Sequence, residues 1–293
     1  MATTIGLSLF QSMPWPGLRD VLRDAEARGF DQIWFADHLM AFPKGGVLLE
    51  AWTALAAAAA VTERIRLGTA VTNIGYRNPA LLAREAVTVD QISDGRLELG
   101  IGAAGTREQD PAVAGVDDFT PRERAERFDE FVACVDTLLR GASSFAGRYY
   151  RSDGFDTGGH LVQRPRPPLT LAAHGPSSLR TTARFADRWS VIVGTNFAVG
   201  GLESEVRRLG ERLDELAAAE GRDPSSILRS GYVGRTGEPY WESAGALEDL
   251  IGRYREAGID EFVFAYPTGW VGEMMGDPSG FLDLLAAVRG ERM

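Results

Sequence analysis

With 293 residues, the chain has room for two small domains or one large α/β barrel, and its 44% apolar and 25% charged residues are those of an ordinary soluble globular protein. Its 31 basic and 41 acidic side chains leave a net charge of −10, which argues against nucleic acid or an anionic membrane as partner, because both reward basic patches. A single cysteine, Cys134, excludes an intrachain disulfide and fits a cytoplasmic address; the opening MATTIGLSLF lacks the basic region of a signal peptide, and AWTALAAAAAV is too short to span a bilayer.

In chain order, β-rich runs alternate with helical patterns. The runs are TIGLSLF (4–10), FDQIWFA (30–36), IRLGTAVTN (65–73), RLELGIG (96–102), LTLAA (169–173), WSVIVG (189–194), ILRSGYVG (227–234) and EFVFAYP (261–267). After the first, GLRDVLRDAEARG spaces Leu18, Val21, Leu22 and Ala25 along one helical face and stops at Gly29. Thr120-Pro121 with Glu123 reads as an N-cap opening a helix over Arg122–Leu139. Eight strands alternating with eight helices in roughly 250 residues, plus one insertion, predict a (β/α)8 barrel. The insertion spans about 141–168, between the fourth and fifth strands, with hairpin-like GRYYRSDGF and Pro-rich VQRPRPP. No glycine-rich dinucleotide fingerprint follows the first strand, where FQSMPWPG stands, so an open doubly wound sheet is the weaker reading. No linker divides the chain, which reads as one domain over 1–293.

In such barrels the reactive groups sit at the C-terminal ends of the strands. Asp37 and His38 end the second strand there, and Thr69, Thr72 and Asn73 end the third. A helix cap and a rim residue are the plain alternatives for the Asp-His pair. Gly175 and Pro176 with Ser177 and Ser178 open a helix after the fifth strand, and its free backbone N–H groups would suit an anion such as a phosphate; an ordinary capped helix is the other reading. Cys134, among Phe131, Val132, Val135 and Leu138, reads as core, and His160 as structural. Trp15, Trp270, Met274 and Met275 fall on loops at the expected mouth, as walls of an apolar pocket or as packing.

The segments GFDQIWFADHL, RIRLGTAVTNIGYRNPALLAREAVTVDQISDGRLELGIGAA, FAGRYYRSDGF, VQRPRPPLTLAAHGPSSLRTTARFAD and AGIDEFVFAYP together resemble the luciferase-like monooxygenase superfamily, in its order and across most of the chain. The resemblance implies a (β/α)8 barrel, usually a homodimer, that binds FMN or the deazaflavin F420 at its mouth. It implies that Ala70-Val71 forms a non-proline cis peptide in a bulge behind the cofactor ring. It also implies cofactor contacts from Asp37, Thr72 and Asn73, from Gly102 and Ala103 after the fourth strand, and from Ala173, His174, Gly175, Pro176 and Ser177 after the fifth.

The ADH sequence and the Ala-Ala-x-Gly-Pro form, here Ala172 to Pro176, are similar to the F420-dependent branch rather than the FMN branch. His38 is then the expected proton donor or acceptor, with Asp37 orienting it or touching the cofactor; His174 is a weaker choice. Gly105 stands where relatives carry a pocket residue; Glu108 and Asp110 read as solvated loop charges, with substitution for that residue as the alternative, and Lys44 is the only lysine, which disfavours a highly phosphorylated substrate. Three functions remain open at this point. They are hydride transfer between F420 and a small organic substrate, oxygenation by FMN with a flavin reductase as supplier, and flavin binding without catalysis.

Overall fold

The fold follows from where each apolar run stops. In the computed structural model, residues 3–41, 46–103, 113–115, 119–194, 202–234, 238–266 and 278–290 are described. In chain order these form β1 (Thr4–Leu9), α1 (Trp15–Ala27), β2 (Gln32–Phe35), α2 (Ala51–Val61), β3 (Arg66–Thr69), β4 (Thr72–Asn73), α3 (Pro79–Ile92) and β5 (Leu97–Gly102). There follow α4 (Pro121–Leu139), β6 (Phe145–Ala146), β7 (Arg151–Ser152), β8 (Leu169–Ala172), α5 (Pro176–Phe185), β9 (Arg188–Val193) and α6 (Glu203–Ala219). The chain then runs through β10 (Leu228–Val233), α7 (Ala244–Glu256), β11 (Glu261–Ala265) and α8 (Pro278–Gly290).

All sheet neighbours except the β6–β7 hairpin are parallel, in the order β3-β2-β1-β11-β10-β9-β8-β5-β4, and β3 also pairs with β5. That last pairing closes the ring. Because β3 and β4 are one strand interrupted at Ala70-Val71, the result is the eight-stranded (β/α)8 barrel expected from the alternation. Among the described residues no helix is long and apolar enough to cross a membrane.

Each strand has two faces, and they differ in chemistry. Ile5, Leu7 and Leu9, Ile33 and Phe35, Leu97, Leu99 and Ile101, and Trp189, Val191 and Val193 are all essentially fully buried and alternate along their strands. They form the apolar shell against the helices. The other face is more polar. Arg188 of β9 ion-pairs with Glu98 of β5 and, at 2.6 Å, with Glu261 of β11. Since β9 adjoins neither β5 nor β11, these contacts run across the lumen. Gln32 and Trp34 of β2 join them: Gln32 donates to Glu261 at 3.2 Å, the Trp34 indole donates to Gln32 at 2.9 Å, and the Arg188 guanidinium lies 5.8 Å from the Trp34 ring. These four strands therefore direct Gln32, Trp34, Glu98, Arg188 and Glu261 inward. The period of two then carries Gly100, Gly102, Ser190 and Ile192 into the same lumen, nearer the C-terminal mouth.

Two glycines allow the third and fourth barrel strands to meet. A Cβ on Gly100 would sit 1.7 Å from the carbonyl oxygen of Thr69, and one on Gly102 would sit 2.3 Å from Cγ2 of Val71. The strand between those positions is bulged, and its Ala70-Val71 peptide is cis. The alternation of the sequence shows neither crowding nor bulge, because both arise between strands.

Local signals held where they were local. Thr120 accepts from Glu123 N–H at 3.2 Å as the N-cap of α4, with Pro121 opening the helix. In the segment between α4 and β8, Glu130 of α4 accepts the N–H groups of Arg148, Tyr149 and Tyr150 and so pins the β6–β7 turn. Buried Asp90 accepts from Val162 and Gln163 N–H and ties the Pro-rich return to α3.

Candidate active site

At the end of β2 the neighbouring residues Asp37 and His38 turn to opposite sides. Asp37 is buried, and its carboxylate takes a two-pronged ion pair from Arg77: Nε to Oδ2 and Nη2 to Oδ1, both at 3.0 Å. Asn73 N–H adds a third bond to Oδ2 at 3.0 Å, and the Tyr76 hydroxyl donates to the Asp37 carbonyl. Arg77 also reaches Glu50, the N-cap of α2, at 2.6 Å and Glu85 of α3 at 3.1 Å. One guanidinium thus gathers three carboxylates behind the barrel wall. Burial works against its charge, but Asp37 and its companions hold Arg77 well above the usual arginine range. Glu85 is pushed up, chiefly by burial and secondarily by its acidic neighbours, against the pull of Arg77.

His38 points the other way. Its ring is partly exposed and lies 5.4 Å from Phe10, which follows β1 at the mouth. The expectation that Asp37 orients His38 or touches a cofactor therefore changes form. The carboxylate anchors the loop to α2 and α3 and so fixes the backbone on which the imidazole stands.

A similar division runs through the other expected residues. Thr72 is fully buried; its hydroxyl lies 2.7 Å from that of Thr69 and accepts from the Trp52 indole at 3.1 Å. Asn73 uses its side-chain oxygen to cap the short turn Ile74–Tyr76. These two side chains hold the wall, whereas Ala70, Val71 and Ala103 are partly exposed at the mouth. Gly102 is buried beneath Val71. Ala173 is buried, with its carbonyl accepting the Trp189 indole N–H at 2.8 Å, and the inward, partly exposed alanine is Ala172.

His174 makes a structural bond. Its Nε2 accepts the Ile192 N–H at 3.1 Å, tying the turn after β8 to β9. Burial pulls its pKa below the ordinary 6.5, only weakly opposed by Glu205. The unfolded chain takes up this proton near 6.5 while the folded chain resists it until lower pH, so the stabilisation is complete above 6.5 and is lost as pH falls through the folded value. Urea midpoints of the wild type should accordingly drop between pH 7.5 and 5.5 more steeply than those of His174→Gln, which keeps an acceptor but cannot titrate. Equal slopes would refute this role.

The turn Gly175-Pro176 is exposed and opens α5 without a side-chain cap. Arg180 donates to the Ser177 hydroxyl at 3.1 Å, which places a cation beside the free N–H groups of the first turn. That donor set suits an anion. Cys134 is fully buried core, its thiol pushed up to about 12 by burial and then by Glu130. His160 is an exposed residue whose carbonyl accepts from Gln91. Trp15 begins α1 and packs partly buried on the core. Gly105, Glu108, Asp110, Trp270, Met274 and Met275 lie outside the described residues.

Sequence reasoning missed Arg77, Arg180 and the inward polar residues Ser8, Ser190 and Tyr232. The signal for the last three was partial: each is a polar residue on the alternate face of a strand, but Gly6, Ile192 and Leu228 interrupt the polar period. Among the described residues, Phe10, Val71, Ala172, Ser190, Ile192 and Tyr232 line the lumen toward the mouth; they are partly exposed and carry no charge. Among the described residues no three His, Cys, Asp or Glu side chains are grouped to hold a metal. The small residues of the wall, the imidazole at its edge and the uncapped α5 terminus together fit a flat ring with an anionic tail.

Comparison with known proteins gives a consistent picture. A family model described as luciferase-like monooxygenase matches residues 3–277. A phthiodiolone/phenolphthiodiolone dimycocerosates ketoreductase of Mycobacterium bovis is 30% identical over 292 residues, covering 91% of this chain and 73% of the relative. An F420-dependent glucose-6-phosphate dehydrogenase of Nakamurella multipartita is 31% identical over 210 residues, covering 68% and 60%. Among solved structures, an F420-dependent secondary alcohol dehydrogenase in complex with an F420-acetone adduct superposes with a TM-score of 0.78 at 21% identity, covering 98% of both chains. The F420-dependent tetrahydromethanopterin reductase of Methanopyrus kandleri gives 0.76 at 18% identity, again with 98% coverage of both.

Proposed function

The chain belongs to the luciferase-like monooxygenase family, and on that premise we propose that it is an F420-dependent oxidoreductase acting on a small organic substrate. The observation that carries the reading is the division at the end of β2, with Asp37 locked outward on Arg77 and His38 left at the mouth beside Phe10. The F420-dependent relatives among the matches support the choice of cofactor. The Ala70-Val71 bulge with Gly102 and Ala103 would back the ring, and Gly175, Ser177 and Arg180 would receive its phosphate. When bound, the deazaflavin supplies the hydride-exchanging carbon.

The remaining work falls to the chain's own groups. His38 exchanges, through an imidazole nitrogen, the proton that accompanies hydride transfer at the substrate. The Arg77 cluster holds the His38 backbone in place, and the small wall residues exclude water from the ring face. Fluorescence titration of the purified protein with F420 and with FMN tests the reading. Saturable quenching of F420 at micromolar concentration, with weaker binding of FMN, is the expected result. Tight FMN binding without F420 binding would replace it with the oxygenase reading, and failure of both would remove the cofactor assignment.

A further inference from the structure

Tyr232 and Ser8 occupy a position that the cofactor and His38 do not account for. Ser230 of β10 is a partner of Glu261, which faces the lumen, so the period of two brings Tyr232 into the lumen one layer nearer the mouth. Register places Tyr232 beside Ile192 of β9 and Val263 of β11. Tyr232 is nevertheless partly exposed, although it lies mid-barrel on a strand flanked by two others.

The phenol is hydrogen-bonded to Ser8 of β1, two strands away across the lumen. Two hydroxyl groups sharing one hydrogen bond use one proton between them and keep one to offer. Burial pushes the Tyr232 phenol up, so it stays protonated at neutral pH. The nearest charged groups, Glu98, Arg188 and Glu261, are each ion-paired. Glu261 registers with Ser230, two residues below Tyr232, and Arg188 with Leu228, four below.

We propose that the Tyr232–Ser8 hydroxyl pair is the anchor for the oxygen of an uncharged carbonyl or carbinol substrate, and that the lining around it, which carries no charge among the described residues of that level, disfavours carboxylates and phosphates. This rests on the oxidoreductase reading above. The substrate oxygen accepts the spare proton as a hydrogen bond, which fixes the carbon beside it toward the mouth, where the partly exposed Ile192, Ala172 and Phe10 lie. A carboxylate placed there would lose its hydration with no described cation to compensate it.

Cyclohexanone and cyclohexanecarboxylate serve as probes, with binding followed by saturation-transfer NMR on the whole protein, with and without F420. Cyclohexanone is expected to bind and the carboxylate to fail. Tyr232→Phe and Ser8→Ala should weaken cyclohexanone about threefold to tenfold, the effect of one neutral hydrogen bond. Both variants should keep the wild-type thermal midpoint within a few degrees and F420 affinity within about twofold. The idea is overturned by cyclohexanone binding that is undiminished in Tyr232→Phe, by carboxylate binding of equal strength, or by absence of cyclohexanone binding. A loss of F420 affinity in Tyr232→Phe overturns it too, because the phenol would then serve the ring. If the wild type binds cyclohexanone as described but not F420, the cofactor reading fails instead.

Discussion

Replacing Arg188 by methionine should lower the unfolding free energy by about 3–5 kcal/mol, the usual loss when one member of a buried ion cluster is removed. Arg188 sits in the lumen between Glu98 and Glu261, and all three are buried. Arg66 supports Glu98 from the rim of the barrel base, and Gln32 supports Glu261. Methionine restores volume without charge, so the two carboxylates are left facing each other in a space that water enters poorly. Burial already pushes Glu261 up even with Arg188 in place.

The pH dependence follows from that direction. A carboxyl whose folded pKa is raised binds protons in the folded state more readily than in the unfolded one. Stability therefore falls as pH rises through the interval between the ordinary 4.5 and the folded value. Without Arg188 that interval should widen, and urea unfolding should show a larger deficit at pH 7.5 than at pH 5. A deficit below about 1 kcal/mol, equal at both pH values, would show that the cluster is not the electrostatic keystone of the lumen. Replacing Glu98, Arg188 and Glu261 together by apolar residues should recover much of the loss, because the desolvation penalty disappears with the charges.

Replacing His38 by alanine should reduce kcat/KM about 10²- to 10⁴-fold, the range supplied by a positioned acid or base. F420 affinity should change little, since the imidazole handles a proton and does not hold the phosphate tail. The thermal midpoint should also stay close to that of the wild type, because His38 is partly exposed beside Phe10. Asp37→Asn gives the contrasting pattern: it removes a charge from the two-pronged pair with Arg77, so stability falls first and turnover follows. Stopped-flow measurement of F420 oxidation or reduction separates the two variants. Turnover of His38→Ala within about threefold of the wild type would remove the imidazole from the chemistry.

The sequence by itself determined the fold class and most element boundaries. Thr120-Pro121 opened α4 as read, and IRLGTAVTN was a strand whose break at Ala70-Val71 only the resemblance supplied. Those features depend on neighbours a few residues apart, on period, cap and turn, which a linear text contains.

What only the tertiary structure decided was direction. Adjacent Asp37 and His38 read as one catalytic pair until ring closure sent one outward to Arg77, forty positions along, and left the other at the mouth. Glu98 and Arg188, ninety apart, met because strands that are not neighbours share one lumen. His174, expected beside the cofactor, also braces β9 through the Ile192 N–H, a contact that no local pattern shows. Alternation announces that a strand has two faces, but closure of the barrel determines which face encloses the cavity.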